Sequence, residues 1–167
     1  MNTKRLTLMA LMMALVIVLS SFSLPVPGGH LYLNDVVIVL ASLLFSPTEA
    51  MLVCGFGAFL GDFFFYPAPM FVSLVTHGLQ GYVISYLAHS DGQLISKKRS
   101  LFATCIGALI MILGYTLGRA FVYSTLKTSI IKLPFEILQA SFGVVFGYFL
   151  RYRIVSKQIE EIVNESL

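Results

Sequence analysis

The chain has 167 residues, of which 57% are hydrophobic and 11% charged, with a formal net charge of +3. Soluble domains carry roughly 25% charged residues. That deficit, with a mean hydropathy of +0.88, excludes an ordinary water-soluble enzyme and a disordered chain. It leaves an all-α membrane bundle, with room for about five to seven spans of ~20 residues and for no separate soluble domain.

The first apolar run, residues 6–24, follows Lys4 and Arg5. Ser21-Phe22-Ser23 resembles a signal-peptide cleavage site, but the rest of the chain is equally apolar, so a retained first helix is the simpler reading. Within it, Ala10 and Ala14 put two small side chains on one face, either for internal packing or to receive a helix of another protein. Pro25-Val26-Pro27-Gly28-Gly29 ends the helix and opens a loop to about Leu33. The second helix, residues 34–45, is short for a span. Ser46-Pro47-Thr48-Glu49 then reads as a capping box with proline at the first helical position. It starts a third helix over 47–66 and makes Glu49 a cap.

Pro67-Ala68-Pro69 makes the next turn. A fourth helix spans 69–88, and a polar stretch with Lys97, Lys98 and Arg99 leads to a fifth over 101–123. A loop carrying Lys127 and Lys132 precedes Pro134 and a sixth helix over 133–150, followed by a basic, amphipathic tail. Six helices with both termini in the cytoplasm put eight of the eleven Lys and Arg residues inside and two outside, with Arg119 within a helix. That asymmetry obeys the positive-inside rule. Cys54 and Cys105 lie in apolar runs without metal-binding spacing and read as small buried hydrophobes.

Ionisable groups within spans are expensive and mark function by default. Here Asp35, Asp62, His77, Arg119 and Glu136 all map to the outer half of the six-helix arrangement. Gln80 shares the His77 face at i+3, Gln139 the Glu136 face at i+3, and Tyr115 the Arg119 face at i−4. With Asn34 beside Asp35, they outline one polar pocket beneath the Pro-Gly-Gly loop. Each member also has a plainer reading: Arg119 with Glu136 as a structural ion pair, Asn34-Asp35 as a helix cap, Asp62 bonded to loop backbone, and His77 as a satisfied interior histidine. No nucleotide-binding loop, nucleophile elbow, zinc motif or nucleic-acid signal is present in the sequence, and no catalytic residue, metal or cofactor is implied.

The basic N-terminus, the AxxxA first helix, the Pro-x-Pro-Gly-Gly loop and Leu33-Asn34-Asp35 occur in that order. Leu44-Phe45-Ser46-Pro47, Gly57-Ala58-Phe59-Leu60-Gly61-Asp62 and Tyr66-Pro67 follow. The set resembles the substrate-binding S components of energy-coupling factor (ECF) transporters, most sharply over residues 10–90. The resemblance implies a multi-pass protein of the bacterial plasma membrane that captures a vitamin or precursor from outside. It implies partners: a transmembrane coupling protein (the T component) and two cytoplasmic ATPases (the A components). It maps the docking face to Ala10 and Ala14, the lid to about Pro25–Leu33, and ligand contacts to that loop and the outer halves of helices four to six. The pattern looks most like the riboflavin, hydroxymethylpyrimidine and pyridoxine branch, with hydroxymethylpyrimidine or pyridoxine favoured. Two other classes stay open: a stand-alone proton-coupled transporter with His77 and the carboxylates as relay, and a small intramembrane enzyme or chaperone.

Overall fold

The structure, a computed structural model, describes residues 3–90, 93–155 and 157–164. Helix α1 (Thr3–Ser21) leads into a hairpin of β1 (Ser23–Val26) and β2 (Gly29–Tyr32). Then come α2 (Asp35–Ser42), α3 (Pro47–Phe65), α4 (Met70–Ala88) and a two-residue-per-strand hairpin, β3 (His89–Ser90) with β4 (Gln93–Leu94). Helix α5 (Lys97–Gly118) runs on into a π-helical turn (Arg119–Tyr123). Helix α6 (Leu126–Arg153) and a short α7 (Lys157–Asn164) complete the order.

Four helices are long and apolar enough to cross a membrane: α1, α3, α5 with its π-turn, and α6. Helix α4 has the length but spends its composition on buried Ser73, Thr76, His77, Gln80 and Ser85. Large apolar side chains face outward instead, among them Phe64, Phe71, Leu113, Phe121 and Phe149. This inverted arrangement suits a lipid exterior, where contact between helices favours small and polar residues. Cys54 is buried as expected, but Cys105 is exposed on the outer face of α5. An apolar run does not distinguish a core-facing from a lipid-facing position.

Glycines set the closest helix contacts. A Cβ on Gly143 would lie 2.7 Å from Cβ of Asp35, and one on Gly147 2.7 Å from Cβ of Val39, which brings α2 flush against α6. Gly114 and Gly118 likewise receive Thr76 and Val72 of α4.

The interior is divided. Toward the end that holds the N-terminus of α1 it is apolar, built from Met12, Val16, Ile38, Phe45, Val53 and Cys54 among others. There Glu49 accepts from the Ser46 backbone N–H at 3.0 Å, the capping contact expected, and also pairs with buried Arg5 at 2.6 Å. Toward the β1–β2 hairpin the interior is polar.

Helix α5 starts at Lys97 rather than residue 101, α2 ends at Ser42 rather than residue 45, and three larger features depart from expectation. The Pro25–Leu33 segment is a hairpin rather than an open loop; Gly28, with φ +84°, follows Pro27 in the order a type II turn uses. From it, β2 descends along α6 before α2 begins. Asp35 therefore packs on Gly143, past the middle of α6, and not at the outer end of a span. Helix α6 starts at Leu126 instead of residue 133. Thr125 caps it, accepting from the Thr128 backbone N–H at 3.3 Å while its own N–H donates to the Thr128 hydroxyl at 3.1 Å. The helix continues through Pro134 because Ser129, Lys132, Glu136, Gln139 and Gly143 form one continuous buried stripe. Burial of that stripe outweighs the missing proline N–H.

Candidate functional site

The polar half of the interior surrounds a cavity of about 20 Å³, room for about one water. The hairpin supplies His30 and Tyr32 to its wall; the α3–α4 turn supplies Tyr66 and Pro69. Met111, Tyr115, Arg119 and Tyr123 come from α5 and its π-turn, and Lys132, Glu136 and Gln139 from α6. In a regular α-helix, residues eight apart drift by about 80° around the axis. The wider π-turn takes up that drift, so Tyr115, Arg119 and Tyr123 all reach one wall.

Arg119 sits at the centre of the site. Its Nη2 pairs with Glu136 Oε1 at 2.7 Å, and its Nη1 donates to the Gly28 carbonyl at 2.8 Å. The second Glu136 oxygen accepts from Thr116 Oγ1 at 3.1 Å. Both residues are buried, so the pair joins α5 to α6 and ties the hairpin turn to both. Gln139 makes a second tie: its Oε1 accepts from the Tyr32 backbone N–H at 3.0 Å, and its Nε2 donates to Asp35 Oδ2 at 2.5 Å. Burial raises the Tyr32 phenol above its ordinary pKa, with Asp62 adding to the shift, so Tyr32 keeps its proton at physiological pH.

Of the residues singled out in the sequence, Tyr115, Arg119, Glu136 and Gln139 line the cavity. Asp62, His77 and Gln80 stand behind its wall. Ser73 donates to Asp62 and shares a hydrogen bond with the Tyr115 hydroxyl, while the His77 ring lies 5.3 Å from that of Tyr115. His77 Nδ1 bonds Gln80 Oε1 at 2.7 Å. Asp35 reaches the cavity only through Gln139. Asn34 turns away, donating to Ser20 Oγ of α1 at 2.9 Å. His30, Tyr32, Tyr66, Pro69, Met111, Tyr123 and Lys132 line it too, without a mark in the sequence pattern. Lys132, expected in an outer loop, stands one turn before Glu136 on the same face, a spacing that identifies it. Ala10 and Ala14 are both exposed on the outer face of α1, opposite buried Met9, Met12 and Val16.

Residues 1–156 match the model of a family described as "ECF-type riboflavin transporter, S component". A Pyrococcus woesei protein described as an uncharacterized protein in a gap 3′ region is 29% identical over 143 residues, covering 84% of this chain and 93% of that one. The thiamine precursor transporter HmpT of Lactococcus lactis subsp. cremoris (strain MG1363) is 45% identical over 87 residues, 49% of this chain and 52% of HmpT. Among solved structures, FolT bound with folic acid superposes with a TM-score of 0.69 at 17% identity, covering 93% of this chain and 96% of FolT. The S component of a bacterial ECF transporter superposes at 0.71 and 20%, covering 92% and 96%. At those identities the superpositions speak for the fold alone. The family match spans nearly the whole chain, and with the apolar helices and the shared fold it identifies this multi-pass membrane protein as a member of the ECF-type riboflavin transporter S-component family.

Proposed function

We propose that this chain is the substrate-specific subunit of an ECF-type importer for a small hydroxylated heteroaromatic vitamin or precursor, of the hydroxymethylpyrimidine or pyridoxine kind. In this reading the chain crosses the membrane six times, with both termini cytoplasmic, and the β1–β2 hairpin faces outside. The eight basic side chains expected inside then lie at the end opposite the hairpin. The chain has no ATPase motif, so a coupling protein and two cytoplasmic ATPases supply the driving force. The exposed Ala10–Ala14 face of α1 is the surface the coupling protein would grip.

The observation that carries the reading is the buried site itself: charged and amide side chains from α5 and α6, flanked by tyrosines, roofed by a hairpin tied to Arg119. Tyrosine faces supply stacking, and Arg119, Glu136 and Gln139 fix orientation. The partial similarity to HmpT favours a pyrimidine-sized ligand over a larger one. Ligand pockets generally run from about 300 Å³ upward. A cavity of about 20 Å³ therefore opens for ligand only when the hairpin or its neighbours move.

The test is to purify the protein in detergent and identify by mass spectrometry the small molecules it releases on denaturation. In parallel, the tagged chain is expressed with candidate coupling and ATPase subunits and the co-purifying proteins are identified. Release of a pyrimidine or pyridine vitamin, with recovery of all partner subunits, is the expected result. Uptake into vesicles containing this chain alone would favour the proton-coupled alternative and sink the proposal.

A further inference from the structure

The hydrogen-bond inventory of the cavity wall is lopsided. The acid and amide acceptors that line it are engaged: Glu136 Oε1 by Arg119, Glu136 Oε2 by Thr116, and Gln139 Oε1 by the Tyr32 backbone. Two donors are not: Arg119 Nε and the Tyr32 hydroxyl are buried without a partner among the described residues, as are His30 Nδ1, a donor or an acceptor according to tautomer, and Asp35 Oδ1 behind Gln139. The Lys132 side chain, only 3% exposed, lines the same cavity, and no hydrogen bond or ion pair of its ammonium occurs among those residues. Arg119 pairs directly with Glu136, so Lys132 feels the carboxylates of Glu136 and Asp35 only at longer range and makes no direct ion pair among the described residues. An ammonium held largely out of water without a direct carboxylate contact is costly, and this one lies beneath the hairpin turn, its Cε 3.5 Å from where a Gly29 Cβ would stand.

We propose that Lys132 is a specificity-determining residue that binds a negatively charged ring oxygen of the ligand, so that the site prefers a deprotonated hydroxy-heteroaromatic to an amino-substituted one. The inference rests on the vitamin-binding reading above and decides between its two favoured substrate types. A 3-hydroxypyridine presents an anionic oxygen to the ammonium, with further acceptors for Arg119 Nε and the Tyr32 hydroxyl. An aminopyrimidine presents an NH2 donor to a wall whose acid and amide oxygens are occupied. A site built to bond one oxygen discriminates sharply against an analogue without it, because its own buried donor is left bare.

The experiment measures Kd for three probes on the purified chain in detergent: pyridoxine, its 3-deoxy counterpart, and 4-amino-5-hydroxymethyl-2-methylpyrimidine. The wild-type chain is expected to bind pyridoxine about ten- to a hundredfold more tightly than the deoxy compound. Lys132→Met should erase that preference and Lys132→Arg should keep most of it. The absorption spectrum of bound pyridoxine gives a readout that needs no variant: the ring-oxygen anion should persist to lower pH in the bound ligand than in free pyridoxine. Equal affinity for the two pyridines, tighter binding of the aminopyrimidine, a preference that survives Lys132→Met, or an anion that persists to no lower pH when bound would each overturn the assignment while leaving vitamin binding intact. Failure of all three probes to bind would overturn the vitamin-binding reading and this inference with it.

Discussion

The Arg119–Glu136 pair shows how a single contact carries both packing and site geometry. Its members are 7% and 1% exposed at the side chain, so neither charge is solvated by bulk water. Removing one partner leaves the other buried and uncompensated, which in proteins costs about 3–5 kcal/mol. Glu136→Ala should therefore lower the stability of the detergent-purified chain by about that amount. The loss should be aggravated because Arg119 and Lys132 would then face each other without the carboxylate. Replacing both Arg119 and Glu136 by Met should recover much of the loss, since two apolar groups leave no bare charge. Thermal unfolding followed by circular dichroism checks this. Additive losses in the double variant would mean the two side chains are not coupled.

In the proposed function, the β1–β2 hairpin that roofs the cavity controls access to it. Its turn is held by Gly28, whose φ of +84° disfavours any side chain. A Cβ there would also lie 3.0 Å from both Lys132 Cβ and the Thr128 carbonyl oxygen. Backbone strain of this kind costs of order 1–3 kcal/mol, and the steric conflict adds to it. Gly28→Val should thus bias the hairpin away from α6 and speed ligand dissociation by about ten- to a hundredfold. The bundle should melt within a few degrees of the parent, because the hairpin contributes little to the apolar core. Stopped-flow release of bound vitamin measures the effect; an unchanged rate would show that the hairpin does not gate the site.

For the whole molecule, the proposed function as an importer subunit requires a surface that the fold leaves open. Ala10 and Ala14 are exposed on α1, so replacing them disturbs no buried contact of the chain itself. A small-residue face lets another backbone approach closely in lipid. Ala10→Trp with Ala14→Trp should leave the affinity of the isolated chain for its vitamin within about twofold and abolish co-purification with the coupling protein. Normal assembly of the double variant would eliminate this face as the docking surface.

Composition and charge placement determined, without coordinates, that the chain is a helical membrane protein with one polar half. These properties are sums over residues, and a bilayer imposes its length and polarity rules on each segment independently. The Ser46–Glu49 cap was equally legible because its partners are three residues apart. What only the tertiary structure decided depends on residues distant in sequence. The stripe from Ser129 to Gly143 had to find its neighbours on α2 and α5 before α6 could run through Pro134. Asp35 sits deep because β2 descends along α6, a path that no local pattern encodes. Tyr115, Arg119, Glu136 and Gln139 were visible as polar groups on helix faces. Yet hydrophobicity cannot say which polar group touches the cavity and which supports it from behind, so Asp62, His77 and Gln80 moved to the supporting layer. Lys132 became part of the site only when the hairpin folded over it.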